Sequence, residues 1–423
     1  MANAKAFGLV VLGLLALPAL AGCPLPDARP QEEDGGTTNP TTGTGGEGGR
    51  GVSASHGAGA QGGVGIAASS SGSGGAGGGC AMPSGCGGPG CPPCGSIALL
   101  ATGALGGITG KFVAEKGWST SPTLETGSDV PALAFTDAGV GVGMLRASDK
   151  LDQLRFAVWM SEGFGAFSGV GPGISAQAAP SAVGAPDGIH VAYLGTDGKH
   201  YYASYKAGWM PSAEPVLANN VHSVGTTPAA LAVRGDEVVL AYMGSDGKLY
   251  DQARKANMWA PAGAHGSGAL SGPPALVSLA SGPEYLAVFS VQPKGPLQWM
   301  TRSLGIWTAP APIAGTPAAE PALVALPSGA AVLVYRDLES DALSWARFEA
   351  GTWSAPKPVA SQPLAYASSR PALAPGVVDA EVELAFVDPL GTAFHCRLQG
   401  DAFSAPASVG GTALKVVAIA KSP

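Results

Sequence analysis

Charged side chains are scarce in this sequence. Asp, Glu, Lys and Arg make up 13% of its 423 residues, with 23 basic against 30 acidic, for a formal net charge of −7. At an isoelectric point near 5.4 the chain repels a phosphate backbone overall, which excludes nucleic acid as a partner. Cysteine is also sparse, at six residues. Cys396 stands alone in a strand-like segment and reads as a buried, inert thiol. Beyond the N-terminal region no run of 18 apolar residues occurs, so no helix of that part is written to span a bilayer.

Catalytic signatures are missing as well. The Ser-x-Asp-x-Gly-x-Thr-Trp box of sialidases is absent. Acidic residues fall mostly in turns, as at Asp197-Gly198 and Asp246-Gly247, where the backbone favours Asp and Gly. Glycoside hydrolysis needs paired carboxylates. Glu381 and Glu383 share one face of a strand, but a solvated strand face accounts for them. A glycoside hydrolase is therefore the least favoured function, and outside the N-terminal cysteines nothing asks for a metal or another cofactor.

What is present is repetition. An aromatic residue recurs at Trp118, Phe164, Trp209, Trp259, Trp307, Trp353 and Phe403, at intervals of 46, 45, 50, 48, 46 and 50 residues. Each is followed by a Ser/Pro-rich stretch, such as Trp353-Ser354-Ala355-Pro356. Next come a small-residue strand (Pro371-Ala372-Leu373-Ala374), a β-branched strand ending in an aromatic (Leu240-Ala241-Tyr242) and a third strand. A period of roughly 40 to 50 residues with about four strands per unit predicts propeller blades. Gly (65) and Pro (36) supply the turns.

Read this way, the aromatic opens each unit, and the last unit is split. Phe403 starts it, Ala413 to Ala420 gives one strand, and the missing strands lie upstream at Ile97–Gly103 and Ile108–Lys116. The expectation is an all-β, seven-bladed propeller over residues 96–423, its last blade closed by both ends of the folded region. Such closure removes open sheet edges. A hydrophobic residue sits ten positions before most of the aromatics (Ile108, Leu154, Leu249, Leu297, Leu343, Ala393), and His200, at nine, departs.

Residues 1–22 read as a signal segment, with Lys5 ahead of an apolar run from Phe7 to Leu20. Leu20-Ala21-Gly22-Cys23 resembles the bacterial lipoprotein signal, which implies acylation of Cys23, a membrane contact through lipid alone and an exported, outer-membrane or cell-surface location. Residues 23–79 are rich in Gly, Ser and Thr and read as a flexible tether with a reach of about 40 Å. Residues 80–95 form a Cys-rich seam. In an exported chain Cys80, Cys86, Cys91 and Cys94 read as two disulfides of undetermined pairing, with a four-thiolate zinc site as the alternative.

The blade repeat resembles the six- and seven-bladed fucose-binding lectin propellers of fungi and bacteria. The residues that carry this are Val191 to Trp209, containing Gly195-Thr196-Asp197-Gly198-Lys199-His200-Tyr201-Tyr202, and then Leu240 to Trp259. The resemblance implies a sugar held between adjacent blades by an Arg and an acid, with aromatic rings on its apolar face. The slot eight residues before the repeating aromatic holds Phe156, Tyr201, Trp299, Trp345 and His395, with Gly110 and Asp251 in the other two blades, and Arg254, Arg302, Arg347 and Arg397 follow just beyond. Tyr201, Trp299, Arg302, Trp345, Arg347 and Arg397 are the candidate ligand-binding residues. The leading function is non-catalytic, lectin-like glycan binding, and the alternative is a scaffold that binds surface proteins.

Overall fold

The structure is a computed structural model. It describes residues 96–422 except 114–116, 124–125, 127–128, 148–152, 161–162, 172–173, 207, 210–212, 220, 267, 292–294, 316, 361–364, 366 and 377–380. The signal segment, Cys23, the tether and the four clustered cysteines lie outside the described residues.

Seven antiparallel sheets follow one another, and they are the blades of a propeller. The inner, second, third and outer strands of blade 1 are Ala132–Phe135, Gly141–Ala147, Gln153–Met160 and Gly163–Phe164. Those of blade 2 are Ser181–Ala185, Gly188–Leu194, His200–Tyr205 and Glu214–Pro215. Blade 3 has Ala230–Arg234, Glu237–Met243, Leu249–Lys255 and Met258–Trp259, and blade 4 has Ala275–Ser278, Tyr285–Ser290, Leu297–Ser303 and Ile306–Trp307. Blade 5 runs Ala318–Ala325, Ala331–Asp337, Leu343–Glu349 and Thr352–Trp353, and blade 6 runs Ala372–Pro375, Val382–Val387, Ala393–Gln399 and Ala402–Phe403.

Blade 7 takes its inner strand, Leu414–Lys421, from the late part of the chain and its other three, Ser96–Gly103, Gly106–Val113 and Gly117–Thr123, from the early part. A small latch completes the closure. The Ser422 amide donates to the Ser96 carbonyl at 2.9 Å, and the two buried hydroxyls lie 3.2 Å apart, joining residues 326 positions apart in sequence.

The repeating aromatic closes a blade instead of opening one. Trp259 pairs with Arg254 of its own third strand, Trp353 with Phe348 and Phe403 with Leu398. Phe403 therefore ends blade 6, and the split blade shares one strand with three. A repeat read from sequence has no intrinsic starting point, and hydrogen-bond pairing sets the phase.

The chemistry of each strand follows its radius. Second strands lie between both neighbouring blades, so they are buried along their length, as in Ser96–Gly103 and Val382–Val387, and are apolar throughout instead of alternating. Inner strands crowd the axis and are rich in small and aliphatic residues. Leu133, Ala182, Leu323, Leu373 and Ile419 wall both cavities found along the axis, so they form the collar that separates the two; Leu231 and Leu276 hold the equivalent places in blades 3 and 4.

Candidate functional site

Blade-to-blade seams are built from two repeated positions. A side chain in the middle of the third strand of one blade meets the outer aromatic of the next. Phe156 meets Trp209 at 5.1 Å between ring centres, Tyr202 meets Trp259 at 5.8 Å and Trp299 meets Trp353 at 6.4 Å. Trp345 meets Phe403 at 5.7 Å, and His395 meets Trp118 at 5.2 Å. In blade 3 the position is Asp251, bonded to His265 (2.6 Å), whose ring faces Trp307 at 5.8 Å. Blade 7 departs from this, with Gly110 at the position, where an added Cβ would come within 3.2 Å of the Trp118 ring of its own blade.

Most of the six candidate side chains are committed to these seams. Trp345 is 2% exposed, enclosed by Phe403 and by Lys357, whose ammonium lies 5.4 Å from its ring centre. The ring is a wedge, not an open stacking platform. Trp299 is half-buried between Phe348 and Trp353. Arg302 is 7% exposed and reaches across a seam to grip both oxygens of Glu237 at 3.0 and 3.1 Å. Arg347 is half-buried, and its guanidinium makes no hydrogen bond or ion pair among the described residues.

Tyr201 takes a different place. Because His200 shifts the spacing of blade 2 by one, Tyr202 is the structural equivalent of Trp345. Tyr201 instead stacks on Tyr193 (5.4 Å, 15° between planes) and donates to Asp197 at 3.0 Å. The same hairpin device recurs as Tyr242 on Tyr250, with Tyr250 donating to Asp246 at 3.1 Å. Gly198 (φ 76°) and Gly247 (φ 80°) turn both hairpins in the left-handed region.

Glu383 corrects the expectation of a solvated strand face. It is fully buried, with His395 Nε2 at 2.6 Å from one carboxylate oxygen and Arg397 Nε at 2.8 Å from the other. Arg397 in turn lies 5.2 Å from the Phe112 ring centre of blade 7. Glu381 is farther out, accepting from Gln399 at 2.9 Å. Burying the carboxylate costs several kcal/mol unless a cation meets it, and here the third strand supplies two partners.

Between blades 2 and 3 the seam opens into a polar groove of about 280 Å³, lined by Asp187, His190, Tyr202, Lys206, Asp236 and Arg254, among others. Arg254 leans from blade 3 across to blade 2. Its Nη2 donates to Glu214 at 2.8 Å, Nε does so weakly at 3.4 Å, and the guanidinium carbon lies 4.7 Å from the Tyr202 ring centre. His190 links Asp187 (Nε2, 2.8 Å) to the Tyr202 phenol (Nδ1, 2.6 Å). A carboxylate only accepts, so Nε2 carries the proton and, in the neutral ring, Nδ1 accepts from the phenol.

Electrostatics follow from these contacts. Burial works to raise the Asp187 carboxyl, but hydrogen bonds and charge from His190 and Lys206 outweigh it and hold the group below the usual carboxylate range. Burial pushes the Tyr202 phenol above its ordinary value; the Arg254 charge opposes this, while Asp187 and Glu214 add to it. The groove thus presents an ionised acid, a protonated phenol and an Arg whose Nη1 is uncommitted. Beside the groove, the turn to the outer strand is made by the exposed Ala256 (φ 49°) and Asn257 (φ 63°), both left-handed as a tight hairpin turn demands.

Sequence reading had placed the strongest sugar-binding resemblance in the two blades that border this groove. It missed Asp187 in a turn, Glu214 on an outer strand and His190 in a second strand, all outside the repeating slots. Arg254 pairs with Glu214 40 positions away, a distance close to one blade, and that near-blade offset between an Arg and an acid was the signal available.

No protein-family model and no curated relative matches the sequence. Among solved structures, AofleA from Arthrobotrys oligospora is similar at TM-score 0.52 and 13% identity, over 78% of this chain and 94% of that one. The fucose-specific lectin from Aleuria aurantia is similar at TM-score 0.50 and 13% identity, over 68% of this chain and 97% of that one. At that identity the likeness concerns the fold.

Proposed function

We propose that this protein is a non-catalytic, lectin-like glycan-binding propeller and that the groove between blades 2 and 3 is a sugar site. The observation that carries the reading is the meeting of Arg254, Asp187 and Tyr202 in one groove of about 280 Å³, with Arg254 held by Glu214 beside it. A pyranose offers vicinal hydroxyls to a guanidinium fork and a carboxylate, and a C–H face to a ring. A solved propeller of similar fold is described as a fucose-specific lectin, which supports fucose as the first sugar to try.

The reading includes export and a lipid anchor at Cys23, supported by Leu20-Ala21-Gly22-Cys23 after an apolar run. A Cys23→Ser variant should then leave the membrane fraction.

The direct test is a glycan array on the intact protein, followed by calorimetry of any hit with Arg254→Ala and Tyr201→Phe. Loss of binding in the first and retention in the second is expected, because Tyr201 does not line the groove and its hydroxyl is committed to Asp197. An array without hits refutes the sugar reading. It would favour the second one, a protein-binding scaffold, for which Leu105 and Leu390, 88% and 86% exposed on turns of blades 7 and 6, are the supporting feature.

A further inference from the structure

The cavity on the propeller axis is separate from the inter-blade groove. At the face where the inner strands begin it has a volume of about 510 Å³ and ends at the aliphatic collar. Each inner strand enters through an equivalent position on the cavity rim. Five of these are apolar: Val130, Ala179, Pro228, Pro273 and Val416. The other two, in neighbouring blades 5 and 6, are Glu320 and Arg370.

The carboxylates of this cavity are already ion-paired. Asp129 lies 2.5 Å from Arg146 Nε, and Glu320 lies 2.9 Å from Arg336 Nε, which also reaches the exposed Asp341 at 3.2 Å through Nη1. Arg370 differs. It is half-buried and makes no hydrogen bond or ion pair among the described residues. Burial pulls its pKa down to about 10, with the Glu320 charge opposing. A half-buried guanidinium without a protein partner leaves its planar fork open to an anion from the cavity.

The surroundings narrow the anion. One unmatched cation balances one negative charge, and a second charge would face Asp129 and Glu320. Apart from Ser369 and Glu320, the wall around and below Arg370 is Pro, Ala, Val and Leu down to the collar, which suits a ligand with an apolar body. We propose that the axial cavity binds an aliphatic monocarboxylate, its carboxylate on Arg370 and its chain directed at Leu323 and Leu373 of the collar. This site does not depend on the glycan-binding reading.

Calorimetry on the full chain with octanoate, octanol and acetate tests it. Octanoate should bind, and octanol and acetate, lacking the charge or the chain, should each bind at least about tenfold more weakly. Arg370→Gln should lose octanoate by at least about tenfold while keeping its melting temperature, since the side chain holds no partner. Arg370→Lys keeps the charge without the fork and serves as the second variant, expected between the two. Arg254→Ala should bind octanoate unchanged. The proposal falls if the unaltered protein fails to bind octanoate at millimolar concentration, or if all three residue-370 forms bind it equally.

Discussion

Replacing Trp345 by Ala separates a structural wedge from a ligand platform. The indole is 2% exposed within the cluster that joins blades 5 and 6, edge-on to Phe403 at 5.7 Å and beneath Lys357 at 5.4 Å. Truncating a buried Trp costs about 3–5 kcal/mol, and the edge contact and cation contact place this site toward the upper part of that range. For a domain this large each kcal/mol moves the melting point by roughly 2 °C, so a drop of about 6–10 °C is expected. Trp345→Phe keeps an edge contact and should lose less than half of that. Scanning calorimetry and near-ultraviolet dichroism read the result. If Trp345→Ala melted within about 1 °C of the unaltered protein and lost glycan capture instead, the wedge assignment would be wrong.

Glu383→Ala leaves His395 and Arg397 facing a buried gap, and should destabilise by about 3–5 kcal/mol; a neutral result in urea unfolding would contradict the buried network. His200 is buried, which pulls its pKa down to about 4 against the weaker pull of the Thr227 and Ser223 carbonyls. The unfolded chain takes up this proton near pH 6.5 and the folded one only near pH 4, so the contribution is complete above pH 6.5 and is lost as pH falls toward 4, by about 3 kcal/mol. The variant His200→Leu, which restores the residue found at that place in blades 1, 3, 4 and 5, should flatten stability across this window; an unchanged acid slope counts against the assignment. Burial also pushes the Cys396 thiol up to about 12, so it should resist thiol reagents until the protein unfolds, and rapid labelling of the native chain would contradict this. Deleting residues 96–123 removes three of the four strands of blade 7, and the remainder should show no cooperative melt.

The blade count was legible because each blade repeats one pattern of small, β-branched and aromatic segments, and the split blade because its missing segments match others. Phase was not, since periodicity is the same from any starting point, and so Phe403 was assigned to the blade after its own. The slot counted back from the aromatic chose Tyr201 over Tyr202, because one residue fewer separates His200 from Trp209 than separates Leu249 from Trp259. Burial of Glu383 was hidden for a different reason. Its partners come from the next strand, 12 and 14 positions on, and only the antiparallel register brings them opposite it. The groove between blades 2 and 3 was bracketed by the resembling segments, yet its acids come from turns and edges that carry no periodic mark.

The latch between Ser96 and Ser422 also sets a clock. Its two halves are 326 residues apart, which at about 5–20 residues per second takes roughly 16–65 s to synthesise. During that interval Ser96–Gly103, an apolar strand, exists without the neighbour it is built for. Every chain must therefore protect that edge from other nascent copies until its last strand arrives, and a chain cut short by even those final residues is left with six complete blades and one that never seals.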